Sequence, residues 1–150
     1  MKNIFKTEET QELINRINQL TPQTQGNWGK MTVSQMLAHC CVAYEMVYTE
    51  KHPKPNFLAR FMLKLFVKNG VVGPKPYPKN IRTAPAFIIN DERNFKEEKQ
   101  RLVDYLEQTQ KLGADHFHNK ESLSFGPLTK DEWNVLFYKH LDHHLTQFGV

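Results

Sequence analysis

Apolar residues recur at helical spacing in four separate stretches of this chain, and most of those stretches carry their own start or stop signal. No other feature narrows the possible folds as far. The first stretch runs from Thr7 to Leu20 and repeats Leu13, Ile14, Ile17 and Leu20 on one face. Thr7 is its candidate N-cap, Glu8 and Glu9 suit the positive end of the helix dipole, and Pro22 and Gly26 end it. The second opens on Thr32-Val33-Ser34-Gln35, which has capping-box spacing, and continues to about Glu50. Its stripe is Met36, Cys40, Ala43 and Val47, widened by Val33, Leu37 and Tyr44, with His39 at the edge. The third runs from about Asp91 to Leu112, with Gly113 as a C-cap candidate. The fourth follows Thr129-Lys130-Asp131-Glu132, a second capping-box spacing, and reaches about Gln147.

The connections are as informative as the helices. Asn56 can cap a short amphipathic helix through Lys68, stopped by Gly70. Its Leu58, Phe61, Met62, Leu65 and Phe66 share one side, and Arg60, Lys64 and Lys68 the other. From Gly70 to Asn90, Pro74, Pro76, Pro78 and Pro85 forbid a regular helix and leave a long extended crossover. Ala86-Phe87-Ile88-Ile89 is readable either as a strand or as a segment lying across the helices. Residues 114–128 read as irregular. The expected fold is therefore all-α: a single domain over 1–150, built as a four-helix bundle with a short extra helix and a Pro-rich crossover between helices two and three.

With 150 residues the chain is long enough to bury a core without staples. It has no apolar run long enough to span a bilayer, and its N-terminus lacks the apolar segment of a signal peptide. The two cysteines, Cys40 and Cys41, are neighbours that cannot easily bridge each other, which fits a reducing compartment such as the cytoplasm. The net charge of +4 is unevenly spread: residues 51–90 hold eight Lys or Arg and no Asp or Glu. Segregated charge of this kind either steers an anionic ligand or solvates an exposed segment.

The sharpest chemical signal is His140-Leu141-Asp142-His143-His144. At about 100° per residue, Trp133, Phe137, His140, His144 and Phe148 fall in one narrow arc, so two imidazoles lie on the line of the core. Histidines at i and i+4 can grip one metal ion, and a catalytic zinc needs a third protein ligand and an open position. His39 is the best third candidate because it sits on a long helix near core residues, whereas His52, His116 and His118 fall in loops. The other reading keeps these histidines as hydrogen-bonding groups of the bundle. Leu141 stands where a zincin has its general-base Glu, so that motif is excluded. Tyr44, Glu45 and His143 are candidate proton carriers, Gln147 a candidate to orient a water, and Cys40 and Cys41 read as small hydrophobes. The catalytic residues themselves stay unassigned.

The segment Trp28-Gly29-Lys30-Met31-Thr32-Val33-Ser34-Gln35-Met36-Leu37-Ala38-His39 resembles the second-helix opening of the DinB superfamily, metal-binding four-helix bundles that include YfiT-like proteins. His140-Leu141-Asp142-His143-His144-Leu145-Thr146-Gln147 resembles the terminal-helix motif of the same superfamily. The likeness extends over nearly the whole chain and is nearest to a branch described only as domains of unknown function. It implies ligands at His39, His140 and His144, zinc or nickel as the ion, a homodimer, and in some members transfer chemistry that uses a low-molecular-weight thiol. The expectation is a metal-dependent transferase or hydrolase acting on a small, anionic substrate, without nucleic-acid or membrane partners. The competing expectation is a non-catalytic helical interaction module whose histidines are structural.

Overall fold

The computed structural model describes residues 2–150. In chain order it contains α1 (Thr7–Gln19), α2 (Val33–Tyr48), α3 (Phe57–Met62), a π-helical stretch (Leu63–Val67), α4 (Lys68–Val72), a 3-10 turn (Pro85–Phe87), α5 (Phe95–Phe117), the strands β1 (Lys120–Ser122) and β2 (Gly126–Leu128), and α6 (Lys130–Gln147). The chain is mostly helical, and no described helix is long and apolar enough to cross a membrane.

The four long helices pack in a closed order: α1 on α5, α5 on α2, α2 on α6 and α6 back on α1, with α5 also touching α6. Their inward stripes meet in one core. Leu13 and Ile17 come from α1, Met36, Leu37 and Tyr44 from α2, Leu102 and Leu106 from α5, and Trp133 and Phe137 from α6. Each such side chain taken out of water contributes about 1.5–3 kcal/mol, so these stripes supply much of the driving force. Tyr44 stacks on Phe137 at 4.8 Å between ring centroids, and Phe137 stacks in turn on Trp133 at 5.3 Å.

Both capping boxes form. Thr32 accepts from the Gln35 amide and Thr129 from the Glu132 amide, and each partner side chain returns the bond. Asn56 caps α3 as expected, through the Ala59 amide. Helix α2 is the central element, buried at every residue from Met36 to Glu45. A helix enclosed on all sides has no true edge, which is why His39 is buried although it lies off the main stripe.

Several boundaries differ from the sequence reading. Lys6, not Thr7, occupies the N-cap of α1, because the Thr7 hydroxyl accepts from Gln110 instead. Helix α2 stops at Tyr48, where Thr49 turns its hydroxyl back onto the Glu45 carbonyl. The short helix passes Gly70 and ends at Val72, before Gly73, where an added Cβ would meet the Asn69 carbonyl oxygen at 2.2 Å. Ala86-Phe87-Ile88-Ile89 forms no strand: Pro85 opens a 3-10 turn that lies against α2. Helix α5 begins only after Asn94, whose side chain caps it, and its regular backbone breaks at Gly113 (φ 76°, ψ 167°), where the sequence placed the C-cap, before one further turn to Phe117. That last turn delivers Phe117 into the aromatic core. Finally, the stretch read as irregular contains the antiparallel hairpin β1–β2, a small departure from an all-α chain.

The crossover is fastened by one buried cation. The Lys139 ammonium on α6 donates to the carbonyls of Gly70 (2.8 Å), Gly73 (2.6 Å) and Lys75 (3.2 Å), and sits 4.5 Å from the centre of the Tyr77 ring. Lys68 adds an ion pair to Glu132 at 2.7 Å. From this anchor the chain runs on to place the 3-10 turn over the histidines.

Candidate metal centre

The core stripe of α6 carries His140 and His144 on successive turns, and α2 brings His39 to face them. The Nε2 atoms of His39 and His140 lie 3.0 Å apart. One ligand nitrogen from each of the three rings falls within 4.8 Å of the others. Nitrogens bound at about 2.0–2.1 Å to a tetrahedral zinc stand roughly 3.3 Å apart, so this spacing needs only small ring movements to close on an ion.

The far side of two rings is already committed. His39 Nδ1 donates to the Phe87 carbonyl at 2.8 Å, an oxygen that can only accept. A neutral imidazole has one N–H, so this bond leaves the lone pair on Nε2, aimed into the cluster. His144 Nδ1 donates to Gln147 Oε1 at 2.8 Å, while Gln147 Nε2 donates to the Trp28 carbonyl at 2.7 Å. The Trp28 oxygen fixes the amide orientation, and the amide fixes the His144 tautomer. Ligands held this way from behind are the usual support of metal-bound histidine. Burial lowers the pKa of all three: His39, His140 strongly, and His144 to about 3, with His39 as its second cause. They are neutral donors at physiological pH.

A family model described as "Protein of unknown function (DUF1569)" matches residues 2–149. The chain belongs to this family. No curated protein and no solved structure matches it. The match to DUF1569 takes in all three histidines and the groups behind them.

Other side chains singled out in the sequence are engaged elsewhere in this DUF1569 protein. Glu45 is held by Lys51, His52 and Arg101. Tyr44 is enclosed in the aromatic core, and Asp142 binds Arg16 at 2.6 Å, tying α6 to α1. Cys40 and Cys41 are buried free thiols whose pKa values burial pushes up, so they pack as hydrophobes. Of the candidate proton carriers, only His143 adjoins the cluster. Its ring lies 5.1 Å from that of His144 and lines a cavity of about 230 Å³ with Trp28, Tyr77 and Lys79. Gln147 accepts directly from His144 Nδ1 through Oε1. The Phe87 and Trp28 carbonyls were invisible in the sequence, because a backbone acceptor leaves no residue-type signal.

Gly29 protects the Gln147 contact. It has φ 83°, and a Cβ there would meet Gln147 Nε2 at 2.5 Å. Gln147→Leu is therefore expected to weaken zinc binding by about 10–100-fold, read by competition with a chromophoric chelator. Gly29→Ala should act in the same direction by displacing the amide.

The buried imidazoles also set a pH dependence. Their pKa values are lower in the folded chain than in the unfolded one, so between about 3 and 6.5 the unfolded state binds more protons. Metal-free protein should lose stability progressively as pH falls below 6.5, followed by urea denaturation. His144→Gln should flatten that slope.

Proposed function

We propose that this chain is a four-helix-bundle protein of the DinB type that binds one divalent ion, zinc or nickel, through His39, His140 and His144. The observation that carries the reading is that His39, His140 and His144 each bring one ring nitrogen within 4.8 Å of the others, with Nδ1 of His39 and of His144 held from behind by the Phe87 carbonyl and the Gln147 amide. A core hydrogen bond accounts for His39 and His140 alone, 3.0 Å apart, and gives no role to the third ring nitrogen brought to the same place. A divalent ion held by neutral imidazoles keeps its full charge and open positions, and supplies Lewis acidity toward water, a thiol or a carbonyl. The residues around it define the rest. Phe87 and Trp28 orient ligands through their carbonyls, and His143 stands beside the cluster, positioned to move a proton. Lys79, over the Trp28 ring at 4.3 Å, puts positive charge at the neighbouring cavity, which suits an anionic small substrate. Transfer to a low-molecular-weight thiol, or hydrolysis, in a reducing cytoplasm is the chemistry this reading assigns.

Elemental analysis of untagged protein tests it. About one ion per chain is expected, falling to trace levels in His39→Ala and His144→Ala. Metal content that is unchanged in both variants would refute the ligand assignment. Protein devoid of metal, even after incubation with zinc or nickel, would favour a helical interaction module with structural histidines.

A further inference from the structure

The helix spanning α3, the π-helical stretch and α4 is seated through two of its three basic side chains, while the third, Lys64, stays exposed. Arg60 on its basic line is ion-paired with Glu121, and Lys68, two turns on, with Glu132. Those two side chains are only 23% and 22% exposed. The apolar line points away from the protein, with Leu58 68% exposed, Phe61 55%, Met62 46%, Leu65 60% and Phe66 69%, and Phe57 at the start of the helix is 87% exposed. The three phenylalanines alone present on the order of 300–500 Å² of aromatic surface, as much as the largest patch of a typical monomer. An amphipathic helix seated by its polar face leaves the other face for a partner.

Charge selects among partners. Residues 51–90 contain no acidic side chain. Lys51, Lys54, Arg60 and Lys68 are paired with Glu45, Glu121 or Glu132. Lys64, Lys75, Lys79 and Arg82 form no ion pair among the described residues, and Lys64 lies within the helix itself. The carboxylates that seat the helix are thus already neutralised, and a positive excess remains on the exposed Lys64 and along the segment that follows the helix. A second copy related by a two-fold axis would set this positive segment against itself, at a repulsive cost. A surface that is negative over an apolar interior complements both features.

We infer that the helical segment from Phe57 to Val72 docks this protein on an anionic lipid surface. Its phenylalanines and leucines enter the boundary of the acyl region, about 5–10 Å deep, and Lys64 meets the headgroup phosphates. The polar face stays bonded to Glu121 and Glu132, so the whole domain is carried at the interface. This docking needs no metal and stands independently of the histidine cluster. It departs from the sequence expectation of no membrane partner.

Vesicle flotation with the full chain decides the matter. Binding to phosphatidylcholine vesicles containing phosphatidylserine is expected to exceed binding to phosphatidylcholine alone by about fivefold or more. Lys64→Glu should erase most of that preference. Phe61→Ser combined with Phe66→Ser should reduce partitioning more than about tenfold, with an unchanged circular dichroism spectrum because both sites are exposed. Failure to float with phosphatidylserine vesicles would overturn the inference, as would flotation indifferent to the double substitution. A dimer in sedimentation equilibrium that the double substitution dissociates, without vesicle binding, would assign the face to a second copy instead.

Discussion

The proposed zinc site predicts that zinc raises the unfolding midpoint of this protein and that His140→Ala abolishes the rise. An ion present at about 1,000 times its dissociation constant adds about 4 kcal/mol to the folded state. For a chain of this length that is a rise of roughly 8–16 °C in the unfolding midpoint. Wild-type protein loaded with zinc should lose this increment on adding a chelator, and His140→Ala should melt at the same temperature with or without either reagent. His140 is the decisive position because its Nε2 faces that of His39 at 3.0 Å and its neighbour one turn on is His144. Removing it leaves two ligands on two different helices, too few for the three-ligand site that catalytic zinc requires. Differential scanning calorimetry reads the effect. A zinc-dependent midpoint that survives in the variant would move the ion to other ligands.

The second large effect is predicted at Lys139, next to His140 in the sequence but not itself a proposed ligand. Lys139→Met keeps most of the apolar stem but deletes the ammonium that three carbonyls share. Hydrogen bonds to a charged group contribute about 1.5–3 kcal/mol each, and water recovers part of the loss at the two carbonyls that are less enclosed. The expected net cost is about 3 kcal/mol, or a midpoint lower by roughly 6–12 °C. Faster amide exchange should appear through residues 70–77 before it appears in α2. Because the same crossover carries the Phe87 carbonyl to His39, metal affinity should fall as well, although Lys139 makes no contact with the cluster in the hydrogen-bond network. A destabilisation below about 0.5 kcal/mol would mean that the Lys68–Glu132 pair holds the crossover alone.

These two effects differ in how far they could be read beforehand. The i,i+4 histidines on the stripe of α6 were legible because periodicity converts directly into a shared face. The capping boxes at Thr32 and Thr129 were equally plain, since each is a local exchange between residues three apart. His39 was harder: stripe analysis assumes a helix with a wet side, and α2 has almost none. Its place on a long helix near core residues singled it out among the remaining histidines, and packing then explained its burial. What stayed hidden depends on backbone atoms distant in sequence. Phe87, Trp28, Gly70 and Gly73 act through carbonyls, and a carbonyl belongs to every residue alike. The orientation of the Phe57–Val72 segment was hidden for a related reason. Its two faces were evident, but only the positions of Glu121 and Glu132 decide which one turns inward.

The central claim is that three imidazoles from two helices share one ion. Anomalous diffraction at the zinc edge from crystals grown with stoichiometric zinc tests it most directly. The account predicts a single peak at about 2.0–2.1 Å from a nitrogen of each of His39, His140 and His144, with the Phe87 and Gln147 hydrogen bonds retained. A peak bound by other side chains, or a His39 ring turned away from the α6 pair, would contradict it.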